Sequence, residues 1–124
     1  MKKKQINVFG RRLELCSKDP LTGFNRNGCC DSEKNDLGKH LVCAIINQKF
    51  LDFQMTTGND LISAKSEFNF PGLVDGDRWC VCAKRWLHAY QHECATSIIL
   101  SSTHIDVLEI IDLELLKKFA LDLN

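Results

Sequence analysis

Seven cysteines and four histidines in a chain of 124 residues are the side chains suited to metal binding, thiolate attack or thiol redox chemistry. Cys80-Val81-Cys82 on a strand puts both thiols on one face, about 6.6 Å apart at a rise near 3.3 Å per residue. Two sulfurs on one tetrahedral zinc sit roughly 3.8 Å apart, so a bulge or a strand end is needed to bring this pair onto one ion. The chain contains no Cys-x-x-Cys knuckle. Cys29 and Cys30 diverge in extended backbone and converge through a turn, which Gly28 makes accessible. His40 and Cys43 meet on a helical turn and face opposite ways on a strand.

Pooled, Cys16, Cys29, Cys30, Cys80 and Cys82 with His40 form the candidate metal or thiol site, and a transition metal such as zinc is the expected ion. The competing expectation for each cysteine is that of a small buried hydrophobe. Cys43, between Val42 and Ile45, is read as core packing, and Cys94, beside Glu93, as a bystander. A catalytic variant uses the Cys30 thiolate with His40 as base, oriented by Asp36 or Asp60. His88 and His92, four apart on one helix face, offer a metal pair or a solvated face, and His104 caps or packs. Asp75-Gly76-Asp77 lacks the spaced carboxylates of a calcium loop.

These residues must be held by identifiable elements. From Cys16 to Gly38 the chain is turn chemistry, with Asp19-Pro20, Thr22-Gly23, Asn27-Gly28 and Leu37-Gly38, and it reads as a long ordered loop with a tight turn ahead of Cys29. A buried strand is expected over 40–46, then a helix over 48–57 capped by Asn47 and closed by Gly58. After a second loop carrying Phe68 and Phe70, strands are expected at 79–83 and 97–101 around a helix at 84–93. Thr103 and Asp106 suggest a capped helix, and Asp112 opens a last amphipathic one. The pattern predicts one domain over residues 1–124 of the α+β class, a small mixed sheet packed with helices, with the strands at Trp79 and Ile98 as parallel neighbours.

Hydrophobic residues at 44% and charged residues at 26% describe an ordinary globular chain. Sixteen basic against sixteen acidic residues leave no net field, which argues against a nucleic acid or an anionic membrane as partner, despite Arg78-Trp79 and Arg85-Trp86. The lysines of the first five residues are followed by no apolar stretch of export-signal length, and no membrane-spanning run occurs. A cytoplasmic setting is therefore expected, and with an odd cysteine count it predicts reduced thiols in place of a disulfide framework.

Leu15-Cys16-Ser17-Lys18-Asp19-Pro20-Leu21-Thr22-Gly23-Phe24, Gly28-Cys29-Cys30, Gly58-Asn59-Asp60-Leu61, Phe70-Pro71-Gly72-Leu73 and the run from Gly76 to Trp86 carry a resemblance over nearly the whole chain. In these segments the sequence resembles a family of small uncharacterised bacterial proteins catalogued as a domain of unknown function. The resemblance implies a bacterial cytosolic protein and brings no activity, cofactor or catalytic residue with it. Two readings stay open: a thiol-centred site for metal binding or redox chemistry, and a non-catalytic interaction or small-ligand domain. In the second, cysteines pack the core and the Asn59-Asp60 and Pro71–Asp77 loops line a pocket.

Overall fold

The structure is a computed structural model and describes residues 4–123. Lys2 and Lys3, part of the lysine-rich start, lie outside the described residues.

Strand β1 (Val42–Ile45) is the centre of a three-stranded sheet with β2 (Arg78–Val81) on one side and β3 (Ser97–Ile98) on the other, both antiparallel to it. Three α-helices accompany it: α1 (Gln48–Thr56), α2 (Ala83–Gln91) and α3 (Leu113–Phe119). The expected α+β class is what the chain adopts. The parallel neighbour relation expected for the strands at Trp79 and Ile98 is not: β2 and β3 point the same way, but β1 lies between them. The reason is burial. Val42-Cys43-Ala44 is inaccessible on both faces, so the most apolar strand takes the centre and the β2–α2–β3 crossover spans it.

Local rules explain α1 well. Asn47 is extended and its Oδ1 accepts the Phe50 N–H at 2.7 Å, while Gly58, at φ +87°, follows the last turn. Phe50, Leu51 and Gln54 form the buried face of α1, and Ala83, Trp86 and Ala89 that of α2. Trp86 anchors the core, its indole N–H donating to Thr96 Oγ1 at 3.1 Å and its ring meeting Phe119 edge-on.

Two elements depart from the expectation. The strand at Ser97 ends after Ile98, and Leu100–Ser102 turns into a 3-10 helix. The Thr103–Asp106 box does not form, because Thr103 Oγ1 is occupied elsewhere, donating to Ile99 O and accepting from Cys43 N. His104 caps the 3-10 helix Ile105–Glu109 in its stead, its Nδ1 accepting the Asp106 N–H. At the other edge of β3 the chain end returns, with a parallel bridge from Ile98 to Ala120 and Asp122 accepting the Leu100 and Ser101 N–H groups. Among the described residues, no helix is long and apolar enough to cross a membrane.

Candidate functional site

Cys43 and Cys80 stand directly opposite each other in the β1–β2 ladder. The Cys43 N–H goes to Thr103, its carbonyl accepts from Ile99, and the Cys80 N–H goes to Thr22 Oγ1 at 2.9 Å. The two residues therefore form a non-hydrogen-bonded pair, the position in an antiparallel sheet where facing side chains approach most closely. One sheet face thus presents two sulfurs side by side.

The 16–38 loop brings two more. Cys16 N and Ser17 N both donate to Gly28 O, at 2.7 and 3.1 Å, and Gly28 N returns a bond to Thr22 O. This fold-back requires Gly23 and Gly28 at positive φ, and a Cβ on Gly23 would collide with the Cys29 carbonyl. Asn27 Oδ1 accepts the Cys29 N–H, an Asx turn, and buried Asp31 gathers the Asn25 and Asn27 amides. The turn expected ahead of Cys29 is present, with the positive φ at Arg26 and Gly28.

Cys16 is joined to Cys43 and Cys30 to Cys80, with Cα separations of 5.8 and 5.3 Å. Two expectations are corrected here. Cys43 is a bonded member of the sulfur group as well as core, and four cysteines are paired, not reduced. Export signals and the parity of the cysteine count speak to compartment, whereas pairing follows from which Cβ atoms the fold brings together. The sulfurs of Cys16, Cys30 and Cys80 lie within 4.8 Å of one another. All four cysteines form a buried cluster of their own, with Ile99 against it.

The other expected members lie outside that cluster. Cys29 is a free, half-buried thiol. Burial pushes its pKa up, Asp31 adds to the shift, and Arg12 and Lys18 only partly oppose it. Cys82 leaves the strand as the N-cap of α2, so the Cys80–Cys82 face is broken after one residue. His40 sits before β1 begins at Val42, its N–H donating to Asp36 Oδ2 at 2.9 Å and its Nδ1 lying 2.8 Å from Asp36 Oδ1. Asp36 is buried, 2% exposed, and His40 is 42% exposed. Asp60, the other acid considered for His40, is committed to the Ile62 and Ser63 N–H groups, which hold its carboxyl below the usual carboxylate value. The imidazole lies over Gly38, where any Cβ would meet the ring.

His40 and Cys80 both line a cleft of about 310 Å³, together with Arg26, Lys65, Phe70 and Trp79. A smaller space of about 80 Å³ shares His40 and Cys80 with it and is also lined by Cys82 and Arg85. Asn59 and Asp60 line the cleft as expected, whereas the 71–77 loop does not. His88 and His92 are drawn into an aromatic cluster, each ring 5.1 Å from Phe53. Sequence reasoning missed Cys43, Arg26 and Lys65 as neighbours of the site. The signal for Cys43 was its place opposite Cys80, which needs a strand register to see.

Residues 6–120 match the model of a family described as an uncharacterized protein conserved in bacteria (DUF2237). No curated protein matches the chain.

Proposed function

The chain belongs to this bacterial family, and we propose that it is a cytoplasmic thiol–disulfide redox protein whose working pair is Cys30–Cys80. The observation that carries the reading is the gathering of four cysteine sulfurs on one face of the β1–β2 ladder, with one of them, Cys80, in the wall of an open cleft. Disulfides in the cytoplasm of most organisms are transient and serve catalysis or redox sensing, so two of them in a protein of that compartment favour exchange chemistry. Exchange proceeds by thiolate attack on a disulfide sulfur. In this reading Cys80, a residue of the cleft wall though only 2% exposed, carries the sulfur that is attacked, and Cys30, wholly buried, the one that departs. The Cys16 sulfur stands within 4.8 Å of both, so a second disulfide is in place to pass the exchange inward to Cys43.

The test is a redox titration of folded protein with thiol trapping and peptide mapping. Cys30 and Cys80 should become alkylatable together, ahead of Cys16 and Cys43, without unfolding. If both pairs resist reduction until denaturant is added, they are structural crosslinks and the reading is wrong.

A second reading has its own support. Three thiol sulfurs within 4.8 Å need shorten only to roughly 3.8 Å to share a tetrahedral zinc, with Cys43 as a fourth ligand. Here the set is Cys16, Cys30, Cys43 and Cys80, without Cys29, Cys82 or His40. Elemental analysis of reduced protein decides it, one equivalent of metal per chain being the expected outcome.

A further inference from the structure

The cleft has a chemical character beyond its sulfur. Its floor is aromatic, with Phe70 and Trp79 edge to face at 5.1 Å. Over these rings stand two cations: the Arg26 guanidinium is 5.1 Å from the Trp79 centroid and the Lys65 ammonium 5.8 Å from that of Phe70. Both are held by backbone carbonyls, Arg26 by Gly23 O at 3.5 Å and Lys65 by Asp60 O at 2.7 Å. Among the described residues, neither forms an ion pair. Among the described residues Asp60 is the one acid in the lining; its Oδ1 accepts two backbone N–H groups, and the nearby Lys65 charge adds to the lowering of its pKa, so Lys65 is partly compensated and Arg26 is not. A wall with two cations against one acid, in a protein of zero net charge, is a local feature and not the reflection of a basic surface.

We infer that this cleft receives a small thiol bearing a carboxylate, which reduces Cys30–Cys80 with Arg26 and Lys65 holding its anionic end and His40 taking its proton. The inference rests on the redox reading above and names its substrate class. The Asp36 contact at His40 Nδ1 makes that nitrogen the donor in the neutral ring and leaves Nε2 as the acceptor. The incoming thiol gives its proton to Nε2 and its sulfur attacks Cys80. A bond forms between the two, the Cys30–Cys80 bond breaks, and Cys30 departs as a thiolate that is protonated in turn. A second thiol attacks the mixed disulfide at the substrate sulfur and releases Cys80. In sum, two thiols are oxidised to one small disulfide as one protein disulfide is reduced to two thiols.

The probes are mercaptopropionate, mercaptoethanol and cysteamine, which carry a negative, a neutral and a positive group; each rate of Cys30–Cys80 opening is expressed per thiolate and divided by the same thiol's rate against a small unstructured disulfide, which removes the differences in intrinsic nucleophilicity. At low ionic strength the anionic thiol should be faster than the neutral one by roughly tenfold and cysteamine slowest, with the spread collapsing in about 1 M salt. Arg26→Gln with Lys65→Gln should abolish the ranking. His40→Gln should slow opening below the pKa of the added thiol and make no difference above it. Equal rates for the three thiols, with the disulfide still opened, overturn the substrate assignment and leave the redox reading standing. Failure of all three to open the disulfide in folded protein overturns both.

Discussion

The Cys30–Cys80 crosslink spans 50 residues of sequence, and this separation fixes a stability difference that can be measured without altering a side chain in the bond. The appropriate protein is C16A/C43A, in which Cys30–Cys80 is the crosslink that remains of the two described. In the chain-entropy treatment, closing a loop of that separation removes about 14 cal/mol/K from the unfolded chain, or about 4 kcal/mol at room temperature. Oxidised C16A/C43A should therefore exceed its reduced form by about 4 kcal/mol in urea unfolding. Linkage requires the same free energy to appear in the redox equilibrium. Folding must make this disulfide harder to reduce by about 90 mV than in the unfolded chain, taking about 30 mV for each 1.4 kcal/mol. The assay is a pair of urea melts, one per oxidation state, with a dithiothreitol equilibrium read by mass spectrometry in buffer and in denaturant. A stability difference below about 1 kcal/mol would refute the loop-entropy argument. The Cys16–Cys43 pair, at a separation of 27, should give about 3.5 kcal/mol in the reciprocal C30A/C80A protein. The two values should not add in the wild type, because the loops share residues 30–43.

Gly38→Ala should push the imidazole of His40 off Asp36 and slow opening of Cys30–Cys80 several-fold, whereas the same change in a His40→Ala background should do nothing; trapping kinetics on the four proteins read the coupling. Asp122→Ala should destabilise by about 1 kcal/mol at neutral pH through loss of the cap on Leu100 and Ser101. Burial raises the Asp122 pKa, but the hydrogen bonds from Ser101 and Leu100 outweigh it, so the folded value lies below the ordinary one. Its contribution is thus complete above the ordinary carboxylate range and is lost as pH falls through the lowered value, and melts of the two proteins should converge in acid. Cys29, with its raised pKa, should be alkylated more slowly at neutral pH in folded than in unfolded protein, the gap closing as the pH rises; an equal rate in both states contradicts the assignment.

The parts of this fold that could be read in advance are those decided locally. Asn47 and Gly58 bracket α1 by capping chemistry that needs no partner, and the run at 40–46 announces a buried strand, which forms over Val42–Ile45. Register is not local. Nothing in the spacing of Cys43 and Cys80 states that they face each other, and the Cys80–Cys82 pair drew attention to a same-face relation that the start of α2 ends. His40 with Asp36 was within reach because both lie in one turn of chain, four residues apart. Arg26 and Lys65 were not, since their meeting over Trp79 and Phe70 depends on two loops distant in sequence. Thr103 carries a similar lesson, its hydroxyl taken by a strand amide sixty residues away.

The 16–38 loop supplies one cysteine to each disulfide and also the Arg26 wall of the cleft and the Asp36 that holds His40. In the proposed reading, oxidation state and occupancy of the cleft are therefore coupled through a single piece of chain. If opening Cys30–Cys80 loosens the loop and weakens an occupant by some factor, an occupant must shift the disulfide equilibrium by that same factor. Under the proposed redox reading, a small anion in the cleft would then shift the thiol poise at which Cys30–Cys80 opens, and that poise would shift the affinity for the anion.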